Sequence, residues 1–494
     1  MGQFTRRAML LGTGAALGVA GTKYLKSSNP VQDGTISLNT AASDGFLNDA
    51  SELSKTPIHK HITLTEDPGD VLVNALRAEL KDAATENRPV NIGAARHSMG
   101  AQAIPRDGHA ITFDNGLVET DTANSTYRAH AGARWSQIIA AIDPQGFSPA
   151  VMQSNHDFGV AATFCVNAHG WPVPYGPMGA TVQSFKMLLA DGELVTCSRS
   201  KNTDLFNLSM GGYGLTGLIT EMQVDMVENQ RLDPTFETLP GKELGTAFET
   251  ALADKSVTMA YGRLNVDREN FMEEALMITY RAAQDQSDLP PASGSGFMSK
   301  AAGKIYRAQL GNERMKRFRW YTEADLAPRL AGAATRNSLI NEPVITLDDK
   351  DPSRVDILHE YFVGIDRFPD FLQVCRDVIP ASYQEFLNVT LRFINTDAES
   401  LLAYAAVPRI AAVMSFSQEL TARGEADMAR MTHALIEGII GIGGSYYLPY
   451  RPHATLDQLT RAYPRAAEFA AAKRAIDPRL RFRNNLWDTY LGAL

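Results

Sequence analysis

The segment NIGAARHSMGAQ, residues 91 to 102, constrains this chain more than any other stretch of it. It places His97 and Ser98 inside a turn bounded by Gly93 and Gly100, directly after the strand-like Arg88-Pro89-Val90-Asn91-Ile92. Glycine reaches backbone angles closed to other residues, so the main-chain N–H groups of such a turn can close around a pyrophosphate. His97 then sits where a side chain can meet a bound ring system. The Gly-x6-Gly spacing is not the G-x-G-x-x-G of a dinucleotide-binding βαβ unit, and by itself it fits an ordinary loop equally well.

A second block, residues 151 to 224, changes that balance. It contains Asn167-Ala168-His169-Gly170, the hairpin sequence Leu189-Ala190-Asp191-Gly192 and the segment GGYGLTGLIT, residues 211 to 220. In this order the two blocks resemble the FAD domain of the FAD-linked oxidases of the vanillyl-alcohol oxidase and p-cresol methylhydroxylase superfamily, and are similar to aldonolactone, alditol and cytokinin oxidoreductases. The resemblance implies an α+β fold: a PCMH-type FAD-binding domain of two small α/β subdomains, and an α+β cap whose sheet lies over the flavin. It also implies which residues hold FAD. In the first turn these are Gly93, Ala94, Ala95, Arg96, His97, Ser98, Met99, Gly100 and Gln102. In the second block they are Gln153, Ser154, Asp157, Gly159, Thr163, Asn167, His169 and Gly170, with Gly217 and Ile219 beyond. In many members the histidine of the turn is bonded to the flavin 8α-methyl carbon, so a covalent link through His97 is expected. The second, cysteine link of bicovalent members has a different sequence setting and is not carried over to Cys165.

The chain has 494 residues, 44% of them hydrophobic, enough for two or three domains. A net charge of −9 argues against nucleic acid or polybasic membrane binding and leaves a small, weakly charged molecule as the expected partner. Cys165, Cys197 and Cys375 are too few and scattered for a disulfide framework or thiolate metal site. His59 and His61 could share one strand face as metal ligands, but no third ligand accompanies them, and no metal is expected.

Thr5-Arg6-Arg7 and the apolar run from Ala8 to about Gly21 resemble a twin-arginine export signal, and the run is shorter than the ~20 residues of a membrane span. The twin-arginine export machinery is therefore an expected partner, and the protein is expected to be exported, periplasmic or held at the membrane facing the periplasm. No A-x-A site follows the run, so an uncleaved anchor stays open. Replacing Arg6 and Arg7 together by Lys is expected to leave a folded, yellow protein in the cytoplasm; unchanged periplasmic levels on fractionation would refute the address.

The pattern divides the chain into a signal and linker (1–50), the FAD-binding domain (51–230), a cap (231–445) and a C-terminal return (446–494). Helical spacing runs from Asp70 to Glu86 and from Trp135 to Ile142, and strands are expected at 89–94, 109–114, 126–133, 184–190, 193–198 and 218–226. Asp191-Gly192 predicts a type I′ hairpin, and Asn202 or Thr203 a capped helix that Gly211 ends. In the cap, strands at 355–363, 387–394 and around 414–417 alternate with helices at 366–378 and 425–440.

A flavin supplies the redox step, so few catalytic side chains are required. Alcohol oxidation needs an acceptor for the hydroxyl proton and a positive group near the reduced ring, and Arg392 and His453 are the candidates. Polyol oxidases resembling this chain carry a glutamate two residues before the arginine, where Thr390 stands here, and a histidine on the next strand, where Met414, Ser415 or Ser417 stands. Tyr361, Glu360, Tyr446 and Tyr447 could line the pocket; Arg392 and His453 could also be an ion-paired strand residue and a packed turn histidine. The expected function is FAD-dependent oxidation of a CH–OH group of an alcohol, polyol or lactone by hydride transfer to flavin N5, with O2 or another acceptor taking the electrons. A dehydrogenase delivering to a quinone or cytochrome, and a non-catalytic flavin-binding protein, are the alternatives.

Overall fold

The computed structural model describes residues 45–293, 297–342 and 351–494. The Arg6-Arg7 pair and residues 26–44 of the expected linker lie outside them.

Local periodicity decides the first layer. Helix α1 (Asp70–Thr85) buries Leu72, Val73, Leu76, Leu80 and Ala83 on one face, the stripe that 3.6-residue spacing produces. These residues share a core with Val90, Ile111 and Phe113 of a small parallel sheet, in which β1 (Lys60–Leu64) and β2 (Val90–Ile92) flank β3 (His109–Phe113). The turn 93–103 therefore leaves a strand edge that a helix already fixes.

The rest of this half is antiparallel. Strands β4 (Val118–Asp121), β5 (Thr126–His130), β6 (Phe147–Pro149), β7 (Val182–Leu188), β8 (Leu194–Ser198) and β9 (Leu218–Glu228) form a six-stranded sheet in the order β8-β7-β9-β5-β4, with β6 also pairing β9. Helices α2 (Trp135–Ile142), α3 (Val160–Cys165) and α4 (Thr203–Ser209) add to its core.

Two expected turns take other forms. At Asp191-Gly192 only Gly192 has a positive φ, 87°, and its N–H donates to Leu189 O at 3.0 Å. Asp191 instead accepts the Glu193 N–H on Oδ1 at 2.9 Å, which makes a type I turn closed by a left-handed glycine rather than a type I′ turn. Asn202 does precede α4, but its amide donates to Thr196 O and the Thr203 hydroxyl to Arg199 O, so neither side chain caps the helix. Gly211 at φ 64° follows it as expected.

The second half is built on an eight-stranded antiparallel sheet. Its strands β10 (Arg231–Pro240), β11 (Val257–Leu264), β12 (Glu274–Ala282), β13 (Arg354–Val363), β14 (Glu385–Ile394), β15 (Arg409–Glu419) and β16 (Ser445–Tyr446) follow the spatial order β10-β12-β11-β14-β15-β13-β16, and Ala334–Thr335 pairs the outer end of β10. Helices α5 (Leu244–Ala253), α6 (Phe297–Ala308), α7 (Glu313–Tyr321), α8 (Phe368–Val378) and α9 (Ala422–Gly441) flank it, and α10 (Leu456–Ala462) and α11 (Ala466–Ile476) return to the first half. There the chain bridges Phe482 to Val90, and Asn484 Nδ2 donates to Gln102 O at 2.7 Å and Tyr213 O at 2.8 Å. The whole is a mixed helix and sheet architecture consistent with an α+β class.

His59 and His61 do not converge. His61 Nε2 lies 2.9 Å from Thr112 Oγ1, and His59 stacks on His109 at 5.2 Å. Glu79, Asp82 and His109 do cluster, but the Lys60 ammonium already sits 2.9 Å from Glu79 and 3.1 Å from Asp82, supplying the positive charge those carboxylates need.

Candidate cofactor and active site

The turn after β2 presents a run of unengaged main-chain N–H groups, an arrangement able to cradle an anion. Among the described residues, the N–H groups of Ala94, Ala95, Arg96, His97 and Ser98 make no hydrogen bond, while their neighbours are engaged: Gly93 with Ile111 O, Met99 with Pro449 O, Gly100 with Gln102 Oε1 and Ala101 with Asp49 Oδ2. The glycines serve close approach and not unusual angles, since the positive φ values fall on Arg96 (52°) and Ala101 (57°). A Cβ on Gly100 would stand 2.6 Å from Gln102 Nε2 and 2.8 Å from Tyr450 O. Gln102 in turn donates to the carbonyls of Leu448 and Tyr450 at 2.8 and 2.9 Å, tying the turn to the far end of the chain.

Charge reinforces the cradle. Burial, and secondarily the charge of Arg134, lowers the Arg96 guanidinium to about 10, and its Nε has no partner although buried. A half-buried guanidinium without a carboxylate is costly unless an anion arrives. His97 packs its ring 4.4 Å from Phe158, and burial, opposed by Asp157 and aided by Arg134, holds its imidazole below the ordinary value, so it is neutral at neutral pH. The cleft beside these residues is lined by both walls and is partly open to solvent.

One wall comes from the second sequence block. Gln153, Ser154, Gly159, Thr163 and His169 line the cleft, as do Gly217 and Ile219 from the segment leading into β9. A Cβ on Gly159 would stand 3.0 Å from the Ala94 methyl, so this glycine lets the wall approach the cradle. Thr163 Oγ1 accepts from Trp135 Nε1 at 2.9 Å, which fixes the wall to the core.

The facing wall is the eight-stranded sheet of the second half. Strand alternation presents Leu358 and Glu360 from β13, Arg392 from β14 and Val413 from β15, with Tyr447 and Tyr450 beyond. The register sets Thr390, Val413 and Glu360 in one row across the three strands. Arg392 is buried, donates to Ser154 Oγ and to His169 O, keeps an unpartnered Nε, and makes no ion pair among the described residues. Burial lowers its guanidinium, and the Glu360 carboxylate partly offsets this. Glu360 Oε1 is hydrogen-bonded to His169 Nε2, joining the cap to the second block; both side chains are 3% exposed.

Fifteen of the residues expected at the site therefore line one cleft: Gly93 to Ser98, Gln102, Gln153, Ser154, Gly159, Thr163, His169, Gly217, Ile219 and Arg392. Six do not. Met99 turns its sulfur to the Leu358 N–H at 3.3 Å, and Gly100 packs under Tyr450. Asp157 offers its backbone oxygen to Arg134. Asn167 is spent on Asp397 and the Gly179 N–H, both at 2.8 Å. Gly170 allows contact with Met152 O, where a Cβ would be 2.0 Å away, and so sets the direction of His169.

His453 is the sixth, and a correction. Its Nε2 meets Glu425 at 2.8 Å and its Nδ1 meets Thr432 at 3.2 Å, both on α9, and neither it nor α9 lines the cleft. Burial lowers its imidazole against the pull of Glu425; burial would raise the Glu425 carboxyl, but His453 and Arg451 hold it below the usual range. On β15 the cleft residue is Val413: Ser415 is bonded by Tyr306, Ser417 by Arg354, and Met414 lies on the other face. Tyr361 and Tyr446 also face away, whereas Glu360 and Tyr447 line the cleft. Tyr213, Tyr450 and Phe158, which also line it, carried no sequence signal beyond their place in or near the two blocks and the C-terminal return.

The network behind Glu360 makes a pH prediction. Thr432 also approaches His359, whose imidazole burial, with the His453 charge, drops from 6.5 to about 3. Between these values the unfolded chain binds the extra proton, so stability falls as pH drops. From pH 7 to 5 this histidine is expected to remove about 2 kcal/mol. His359→Gln should lose that much less over the same interval in denaturant unfolding; an unchanged pH slope would rule the histidine out as the cause.

Comparison with known proteins fits this geometry. Residues 73–198, which include the cradle and the wall up to β8, match the family model of the FAD binding domain. Residues 73–198 are an FAD-binding domain. An alditol oxidase of a Streptomyces species is 29% identical over 171 residues, 33% of this chain and 39% of that protein. The mitochondrial L-galactono-1,4-lactone dehydrogenase of Brassica oleracea is 25% identical over 161 residues, 32% and 26% of the two chains. Cytokinin dehydrogenase 1 of Oryza sativa subsp. japonica is 25% identical over 336 residues, 65% and 56%. The match thus spans between about a quarter and just over half of these relatives. The FAD-binding domain is the relationship that the two sequence blocks indicated, and the residues present suit FAD: free N–H groups and Arg96 for the pyrophosphate, and unpartnered donors of Gln153 and Arg392 for the ring's polar edge.

Proposed function

We propose that this protein is an FAD-dependent oxidoreductase that oxidises a CH–OH group of a small alcohol, polyol or lactone, and that His97 carries the FAD covalently. The observation that supports this most is Arg392: a buried guanidinium whose hydrogen bonds go to neutral groups, with the Glu360 carboxylate only partly offsetting its burial, faces a cleft beside a cradle for FAD. FAD, when bound, supplies the hydride acceptor. The protein's contributions are positional and electrostatic. Residues 94–98 and Arg96 hold the pyrophosphate, Phe158 packs the His97 ring, and Arg392 stabilises negative charge at the ring edge or on a substrate oxygen. The names of the alditol oxidase and galactonolactone dehydrogenase relatives favour polyols and lactones as first candidates. Export through the twin-arginine route belongs to the same reading, because that route carries folded, cofactor-loaded proteins.

The test is an anaerobic reduction screen with sorbitol, L-galactono-1,4-lactone, lactate and benzyl alcohol as one probe per class. Bleaching by at least one is expected. If none bleaches a flavin that dithionite reduces, the oxidoreductase reading falls and a flavin-binding protein without turnover takes its place. Reoxidation of the reduced protein by air, compared with a soluble quinone, separates oxidase from dehydrogenase.

A further inference from the structure

Polyol oxidases resembling this chain take a glutamate from the strand that carries their arginine, and Thr390 occupies that position here. Thr390 is not free to act: its hydroxyl accepts from Arg263 at 2.6 Å. The only carboxylate lining the cleft among the described residues is Glu360, on β13. In the sheet it stands in the same row as Thr390, two strands away, with Val413 between them. At the usual strand spacing this moves the carboxylate by roughly 10 Å.

We propose that Glu360, held by His169, is the proton acceptor for the substrate hydroxyl, and that substrate lies over Val413 between Glu360 and Arg392. This rests on the oxidoreductase reading above. Glu360 Oε1 is taken by His169, but Oε2 has only the Tyr450 hydroxyl at 3.3 Å, at the weak end of hydrogen bonding. At 3% exposure no bulk water satisfies the remaining lone pairs, so the carboxylate keeps acceptor capacity inside the cleft that it lines. In the step, the substrate O–H bond breaks, the proton passes to Oε2, and the electron pair stays on the oxygen, beside the Arg392 cation. FAD, when bound, would supply the acceptor for the hydride of the companion C–H bond, which balances the oxidation to C=O. His169 is a positioning residue: the close packing of Gly170 on Met152 aims it, and its buried Nδ1 has no partner.

The test compares wild type, Glu360→Gln and His169→Gln as loaded proteins, using whichever of the four probe alcohols reduces the wild type. Glutamine still accepts the His169 hydrogen bond, so Glu360→Gln should keep the fold and the colour. It is expected to slow anaerobic flavin reduction by about 10²-fold or more and to abolish the acid limb of the pH profile. His169→Gln should slow reduction by about 10-fold and displace that limb without removing it. Independently of substrate, loss of the anionic Glu360 should raise the flavin midpoint potential, measured by slow enzymatic reduction against a reference dye. Glu360→Asp provides a second carboxylate variant should the glutamine protein fold poorly, and it should retain the acid limb. A Glu360→Gln protein that reduces within a few-fold of wild type, with the same pH profile and potential, would overturn the assignment and leave the pair as a strut between cap and FAD-binding domain. If no probe alcohol reduces even the wild type, the oxidoreductase reading has failed and this assignment with it, an outcome distinct from wild-type reduction that the variant preserves.

Discussion

Arg392→Met is expected to slow anaerobic flavin reduction by on the order of 10²-fold or more, roughly 3 kcal/mol of lost transition-state stabilisation. Methionine fills a similar length without charge. The native guanidinium is buried, and its hydrogen bonds go to Ser154 Oγ and His169 O, with no ion pair among the described residues. Methionine relieves the desolvation of the cation but leaves the Ser154 and His169 oxygens without their donor, so the change in stability is expected to be modest, about 1–3 kcal/mol. The two effects should therefore part company: the protein stays folded and coloured while reduction fails. A reduction rate within a few-fold of wild type, with any probe that reduces the native protein, would remove Arg392 from the chemistry.

The second large effect is all-or-none. After acid precipitation, FAD is expected to stay with the wild-type polypeptide and to appear entirely in the supernatant of His97→Ala. The imidazole is neutral because burial lowers it, and a neutral nitrogen is the form that can attack the flavin 8α carbon. Phe158, 4.4 Å away, holds the ring in one orientation. The variant should still bind FAD through the cradle, because residues 94–98 offer main-chain N–H groups that the substitution does not touch. A colourless, non-fluorescent wild-type precipitate would end the covalent claim.

The first half of the chain was readable because its rules are local. Leu72, Leu76, Leu80 and Ala83 repeat at helical spacing, and Gly93, Gly159 and Gly211 stand where a side chain would clash or a left-handed angle is needed. The cradle residues followed from such positions. Of the strands between 231 and 282, none of which was expected, β10 carries Pro234 and Pro240 inside it, and proline reads as a breaker. The structure tolerates them there because β10 lies at the sheet margin, with only Arg231 and Leu232 paired on its outer side. The site side of the cap was harder still. β13 was recognised as a strand, but from His359 to Val363 both its faces are buried, so nothing in the alternation separates Glu360, which faces the cleft, from His359 and Tyr361, which face α9. His453 was favoured over Glu360 because a histidine beside a proline stands out as text. Which side of a helix it meets does not.

The bonds from Gln102 to the carbonyls of 448 and 450, and from Asn484 and Asn485 back to Gln102 and Gly100, bear on the order in which this protein is made. The anion cradle lies in the first quarter of the chain, yet its outer support arrives in the last fifty residues. A nascent chain can form α1 and its parallel sheet early, but it cannot close the cradle until residues 448–485 have been made, because contacts of such long sequence separation form late. The cradle is thereby tied to residues 448–485: a product truncated before them lacks this support and is expected to stay colourless.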